Sequence, residues 1–241
     1  MIITFGSNLS MKELIDYTDR VIGKKSSSSL LYYETVTFFA KNTTGGLGIL
    51  LRRLLYKHLF SKFCYGIILG ENITFRGVKK IEIGKKVKID NNVLVEAYPD
   101  SKGIFLEEEV EIHQGVITTT GYGEKSIINI GKASRIGPYT CIYGHGGIKI
   151  GKNVLIAGHN FISASQHIFQ DINSPIKNQG ITAKGIVIED DVWIGSNCVI
   201  MDGVKIRQGS VIGASSIVNK DIPSYSVAIG QPAKVIKKRG R

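Results

Sequence analysis

Cysteine, proline, tryptophan and acidic residues are all scarce in this chain of 241 residues. Its three cysteines, Cys64, Cys141 and Cys198, form an odd, widely spaced set with no CxxC pair. That pattern argues against a disulfide framework and a cysteine-rich metal site, and it points to a reducing compartment. Proline occurs 5 times against 28 glycines, and the glycines recur at intervals along the chain, the mark of many tight backbone corners. Hydrophobic residues make up 43% and charged residues 21%, so the chain is neither a disordered tail nor a membrane bundle. The longest apolar stretch, Leu47 to Leu69, is broken by Arg52, Arg53, Lys57, His58 and Lys62, too many charges for a spanning helix. Met1 to Ser10 has no basic leader, no apolar run of signal-peptide length and no small-residue cleavage site, so the expected location is cytoplasmic. Only 20 acids face 31 Lys and Arg, giving a formal charge of +11. With no nucleic-acid motif beside it, this charge points to anionic cofactors or an anionic membrane surface and not to nucleic acid.

What the sequence does have is a six-residue beat. From Ile188 the aliphatics run Ile194, Ile200, Ile206, Ile212 and Val218 without a gap. The same beat appears at Ile83, Ile89 and Val95, at Ile130, Ile136, Ile142 and Ile148, and at Ile150, Ile156 and Ile162. Four residues after a beat come small or aliphatic side chains such as Val87, Val93, Val154, Val192, Cys198, Val204, Ser210 and Ser216. A helix repeats every three or four residues and a lone strand every two, so the beat predicts short strands joined by corners. Glycines such as Gly195 and Gly213, directly after a beat residue, are expected to occupy those corners. Three sides make a coil of about 18 residues, and stacked coils rise by roughly 4.8 Å, giving a parallel β-helix.

This pattern resembles the hexapeptide-repeat acyltransferases, and the resemblance covers roughly Gly70 to Arg239. It implies a mainly β fold, a left-handed parallel β-helix, with an N-terminal, partly helical region. The hand comes from the resemblance, since the period alone does not show it. The expected division is a cap region, 1–69, and a repeat domain, 70–241, with a loop at 163–186 and a basic tail.

The first 65 residues lack the beat. Met11 to Arg20 reads as a short helix, Ser26 to Ser29 as a loop after Lys24 and Lys25, and Gly45 to Tyr65 as a basic amphipathic helix. The latter carries Leu47, Leu50, Leu51, Leu54, Leu55, Leu59 and Phe63 alongside Arg52, Arg53, Lys57 and Lys62, with no acid. Two roles stand open for it: packing over the end of the solenoid, which needs a cap, or contact with anionic lipid.

The beat breaks between Ser163 and Ile186, and solenoids break where function needs a loop. His167 opens this break after the coil IGKNVLIAGHNFIS. Galactoside and maltose O-acetyltransferases have a very similar coil followed by a histidine-bearing turn, and the resemblance implies that His167 is the catalytic base. A base suits the implied reaction, because a sugar hydroxyl must lose its proton to attack a thioester. Cys198 at an inward position and Cys141 beside a beat residue read as structural. His58 reads as a surface residue. His113, His145 and His159 fall near corners without the close pair used by zinc-binding solenoids of the γ-carbonic-anhydrase type, so no metal is expected. His145, in YGHGG, and Trp193, an outward residue in VWIGS, are acceptor-site candidates; a solvent-facing corner and packing under the loop are their respective alternatives.

The segment GVKIRQGSVIGASSIVNKDIPSYSVAIGQPAKVIKKR resembles the part with which these enzymes close a coenzyme A groove. By that match Ser196, Ala214, Asn219, Lys220, Lys234 and Lys237 are cofactor contacts, small residues leaving room for the pantetheine arm and lysines meeting phosphates. One departure stands out. An ungapped match places Gly137 where the galactoside enzymes have an acceptor-binding Asn, which puts simple galactosides in doubt. The basic run LLRRLLYKHLF and the GVKKIEIG entry look instead like acetyltransferases of bacterial polysaccharide pathways. The expected function is acetyl-CoA-dependent O-acetylation of a sugar or glycan by a homotrimer, cytoplasmic and peripheral to the inner face of a membrane through residues 45–65. An N-acetyltransferase for a nucleotide-linked amino sugar and a non-catalytic solenoid scaffold are the alternatives.

Overall fold

The computed structural model describes residues 10–240, so most of the Met1–Ser10 stretch read above for a leader lies outside the described residues. The six-residue beat becomes a left-handed parallel β-helix of triangular section. Its three faces are ladders of short parallel strands, which run through residues 62–63, 68–69 and 74–76 in the first coil. Inward residues stack in columns. One column runs Ile83, Leu106, Ile130, Ile150, Ile188 and Ile206 on the first face. A second runs Ile89, Ile112, Ile136, Ile156, Ile194 and Ile212 on the second face. The third runs Val95, Thr118, Ile142, Ile162, Ile200 and Val218 on the third face. Nearly all are fully buried, and each aliphatic withdrawn from water contributes roughly 1.5–3 kcal/mol. The coil containing Leu106, Ile112 and Thr118 is absent from the sequence beat, because its third column residue is a threonine.

The corners differ from the sequence expectation in one respect. The left-handed backbone falls three residues after the column residue, at positions such as Asn92, Tyr139, His159 and Asn197, and not at the glycine directly after it. That glycine is required by stacking. A Cβ at Gly195 would lie 2.6 Å from the Ala214 backbone nitrogen of the next coil.

Spacing between column residues is six from the first face to the second and from the second to the third, but not from the third back to the first. There the steps Phe75 to Ile83, Val95 to Leu106, Thr118 to Ile130, Ile142 to Ile150 and Ile162 to Ile188 take 8, 11, 12, 8 and 26 positions. Only the later coils, from Ile188 on, keep the expected 18. All the extra chain emerges along one edge of the prism.

The N-terminal region contains three helices. α1, Met11–Ile22, runs two residues beyond the expected end and starts at a capping box of Ser10 and Glu13. The serine run is not a loop. Ser26 caps α2, Ser27–Ala40, with its side chain accepting from the Ser29 N–H. α3, Gly45–Leu55, is about half the expected Gly45–Tyr65 element; a 3-10 turn, Tyr56–His58, follows, and Lys62 already lies in the first strand. The helices pack on the first coils, where the Tyr33 hydroxyl donates to the Phe75 carbonyl. Arg52, expected on the polar face of a basic helix, is buried instead. Its guanidinium donates to the carbonyls of Ala40, Thr43 and Leu69, at 2.7–3.0 Å, and ties α2, α3 and the first coil together. At the other end the chain turns back as a hairpin, Ser226–Gly230 with Ala233–Lys238.

Arg52→Met would leave the buried Ala40 and Leu69 carbonyls and the part-buried Thr43 carbonyl without this donor and is expected to lower unfolding stability by about 2–4 kcal/mol. Arg53→Met, on the exposed side of the same helix, should change it by no more than about 0.5 kcal/mol. Urea titration of the two variants checks this.

Candidate functional site

The longest insertion leaves the third face after Phe161–Ser163 and returns to the first face at Ile186–Ile188. Its two limbs form a small antiparallel ladder in which His167 faces Ile181 and Gln166 faces Thr182. The Asp202 carboxylate holds the returning limb, accepting from the Lys184 and Gly185 N–H groups at 2.9 Å and from the Thr182 hydroxyl at 3.3 Å. His167 is exposed, at the base of this loop, and its ring meets no hydrogen-bond partner among the described residues of its own chain. Beside it lies a hollow of about 130 Å³ lined by Phe161, Ser163, Ser165, Gln166 and the Val199–Asp202 segment. Larger hollows lie under the helical cap and on the first face; one on the first face, of about 300 Å³, reaches the foot of the returning limb at Lys184 and Gly185 and the Gly146–Gly147 turn beside His145.

His145 sits on the same edge one coil earlier. The ladder pairs Tyr143 with Ser163, and the Gly146 N–H donates to the Ala164 carbonyl at 2.8 Å, so His145 lies level with Ser165. Its ring covers Gly121, where a Cβ would stand 2.5 Å from the imidazole. Nδ1 is buried without a hydrogen-bond partner among the described residues. Further up the edge come two residues that the sequence reading missed. The rings of Tyr98 and Tyr122 meet edge-on at 4.2 Å, and the Arg20 guanidinium of α1 stands 5.8 Å over Tyr98. Burial, and then the neighbouring Glu96, push the Tyr98 phenol up. Glu96 is itself buried and accepts from Arg20 and Arg76 at 3.0–3.2 Å, which pins α1 to this edge. The available signal was length: the tyrosines lie in the 11- and 12-residue steps of the beat.

Other candidates are elsewhere. Trp193 is exposed on the second face, level with Leu155 and Val211, across the prism from the edge that carries His167. Within one chain the structure brings Trp193 neither to His167 nor under the loop. Ser196 and Ala214 stack in successive coils at the corner between the second and third faces, both small and exposed. Asn219 and Lys220 follow at the far end of the third face, and Lys234 and Lys237 lie exposed on the last strand with no ion pair among the described residues. The other histidines have local partners: His113 Nδ1 lies 3.0 Å from Asp90, and His159 stacks on Tyr139 with centroids 5.3 Å apart. Cys198 is buried, and burial raises the thiols of both Cys198 and Cys141. Among the described residues no three His, Cys, Asp or Glu side chains are grouped to hold a metal ion.

Burial holds the His145 imidazole below its ordinary 6.5, so the folded state favours the neutral ring. The stability this contributes is full above about pH 6.5 and is lost as pH falls through the lowered value. Acidification from about pH 7.5 to 5.5 should therefore lower the melting temperature of the native protein more than that of His145→Gln, measured side by side.

Comparison with known proteins agrees with this architecture. Residues 185–220 match the family model of the bacterial transferase hexapeptide (six repeats). A probable acetyltransferase of Mycobacterium tuberculosis is 34% identical over 157 residues, 56% of this chain and 50% of that protein. Galactoside O-acetyltransferase of Escherichia coli is 45% identical over 91 residues, 37% of this chain and 43% of the relative. The chain thus spans about half or less of the curated relatives it matches. Among solved structures, the polySia-specific acetyltransferase NeuO superposes with a TM-score of 0.53 at 28% identity, covering 72% of this chain and 81% of that one. AntD, an N-acyltransferase from Bacillus cereus, has the same TM-score at 21% identity over 79% of this chain and 90% of its own, a likeness of fold alone. Residues 185–220 of the solenoid match the hexapeptide repeat of bacterial transferases, in the stretch where the six-residue beat runs without a gap from Ile188 to Val218.

Proposed function

We propose that the protein is an acetyl-CoA-dependent O-acetyltransferase that modifies a sugar hydroxyl of a bacterial polysaccharide or its precursor. The observation that carries this reading is the position of His167, at the base of the largest insertion and beside a hollow on the same edge as His145, Tyr122 and Tyr98. His167 takes the proton of the acceptor hydroxyl as its oxygen attacks the thioester carbonyl. The carbon–sulfur bond then breaks, and the proton passes to the departing thiolate. The exposed Tyr122 and the half-buried Tyr98 beside it offer a flat surface for a sugar ring, and His145 contributes a polar contact. Such relatives as the galactoside enzyme and NeuO are named for sugar acceptors, which supports the acceptor class.

For the cosubstrate, Ser196 and Ala214 leave a shallow track along one corner, while Lys220, Lys234 and Lys237 are free to offset phosphates; Asn219 adds a hydrogen-bonding side chain. Trp193 lies on the face opposite His167, so a neighbour in a homotrimer is the means by which an outward Trp would reach another subunit's His167. Location in the cytoplasm with peripheral contact to the inner face of the membrane, through residues 45–65, fits an acceptor carried on lipid. No helix among the described residues is long and apolar enough to cross a membrane.

His167→Ala is expected to reduce turnover by about 10² to 10⁴ with the fold unchanged by circular dichroism; near-native activity would remove the assignment. The assay uses paired acceptors that differ only in a hydroxyl or an amine, and faster transfer to the amine would favour N-acetylation of an amino sugar. Lys234→Glu with Lys237→Glu should raise the KM for acetyl-CoA about tenfold and much more than that for the acceptor, with the difference shrinking in high salt. Equal changes in both constants would exclude the tail as the nucleotide site.

A further inference from the structure

We infer that the hairpin of α2 and α3 docks on an anionic phospholipid bilayer by inserting apolar side chains, with Phe38 and Phe39 leading. The inference rests on the peripheral-membrane part of the proposed function. It differs from that part in its surface, which spans two helices, and in its main force, which is apolar insertion. α2 buries Tyr33, Val36 and Ala40 toward the first coils, and α3 buries Gly48 and Arg52. Because both helices lay one face on the same end of the solenoid, their opposite faces point away from it together.

Those opposite faces are apolar. Leu31 is 71% exposed, Phe38 81%, Phe39 64% and Leu47 63%, with Leu50 and Leu54 about half exposed. Single exposed apolar residues are ordinary, but six on two adjacent helices are a patch. The rings of Phe38 and Phe39 meet at 5.1 Å, so they present one broad knob and not two scattered side chains. At lengths of 14 and 11 residues the helices are too short to span a bilayer, so insertion would place them along its interface.

Charge selects the occupant. Arg53 and Lys57 are exposed beside the leucines, and no Asp or Glu occurs from Thr35 to Gly70. Glu34, the acid just before this stretch, accepts a hydrogen bond from the Tyr17 hydroxyl at 2.6 Å. Arg52 does not take part, because its guanidinium is committed to three carbonyls. A second copy of this chain would set the exposed Arg53 and Lys57 against their own copies across a two-fold axis, with Glu34 held by the Tyr17 hydroxyl, whereas an anionic bilayer offers both hydrocarbon and opposite charge.

The test is sedimentation of the full chain with vesicles of phosphatidylcholine, alone or with about a third phosphatidylglycerol. The native protein should pellet with the anionic vesicles. Phe38→Ser with Phe39→Ser should weaken binding about tenfold or more in low and high salt alike, from the apolar area lost. Arg53→Glu with Lys57→Glu should remove the preference for anionic vesicles, an effect that salt reduces. The inference is overturned by native protein that ignores anionic vesicles, or by a double serine variant that binds as the native protein does. It is equally overturned if the serine variant shrinks the oligomer in vesicle-free solution, since a second copy then covers the face. Acetyl transfer to a soluble acceptor, followed in parallel, should be the same in native and serine proteins. Transfer without vesicle binding would overturn the docking alone, and vesicle binding without transfer would overturn only the enzymatic reading.

Discussion

Each coil of this protein has its backbone hydrogen-bonded to the coil above and the coil below, and almost everything else in the molecule follows from keeping that ladder in register. Isoleucine and valine fill the columns because their branched side chains pack on a narrow triangular interior. Glycine follows many column residues because the next coil stands too close for a Cβ, as at Gly195 against Ala214. The left-handed corner residues can then be almost anything that tolerates a positive φ, including Tyr139 and His159, whose rings stack on each other outside. Insertions are restricted by the same demand. Two of the three corners hold their six-residue step throughout the coils, so extra chain is accepted only where the third face hands over to the first. That restriction collects Tyr98, Tyr122, His145 and His167 along one edge although they are scattered over 70 positions of sequence.

A ladder has two open ends, and the chain closes them differently. At the N-terminal end, helices cover the first coil, and a buried cation supplies hydrogen bonds that a further strand would otherwise make: Arg52 donates to Leu69 of the first coil as well as to Ala40 and Thr43. Burying a guanidinium costs solvation, which here is offset by three carbonyl acceptors in one place. At the C-terminal end a hairpin adds a strand and folds back, leaving lysines on the outside. The two ends are therefore chemically distinct, apolar and cationic at the helices and cationic along the last strand.

The sequence by itself determined the β-helix, because the beat is a local property: a column residue every six positions requires only that its neighbours in sequence turn the corner. It also marked the insertion that His167 opens, since a long gap in the beat is visible without a structure. It did not mark the coil of Leu106, Ile112 and Thr118, where a threonine fills the column, or α2, whose serine cap reads as loop composition. Arg52 was misplaced for a related reason. Helical periodicity says which side of a helix a residue occupies but not which side is covered, and only the tertiary structure supplies the carbonyls of Ala40, Thr43 and Leu69 that make burial of its charge tolerable. The edge that gathers His145 and the tyrosines beside His167, and the separation of Trp193 onto the opposite face, were likewise decided by stacking. Proximity between coils depends on the lengths of every insertion that comes before, and no short stretch of sequence contains that sum.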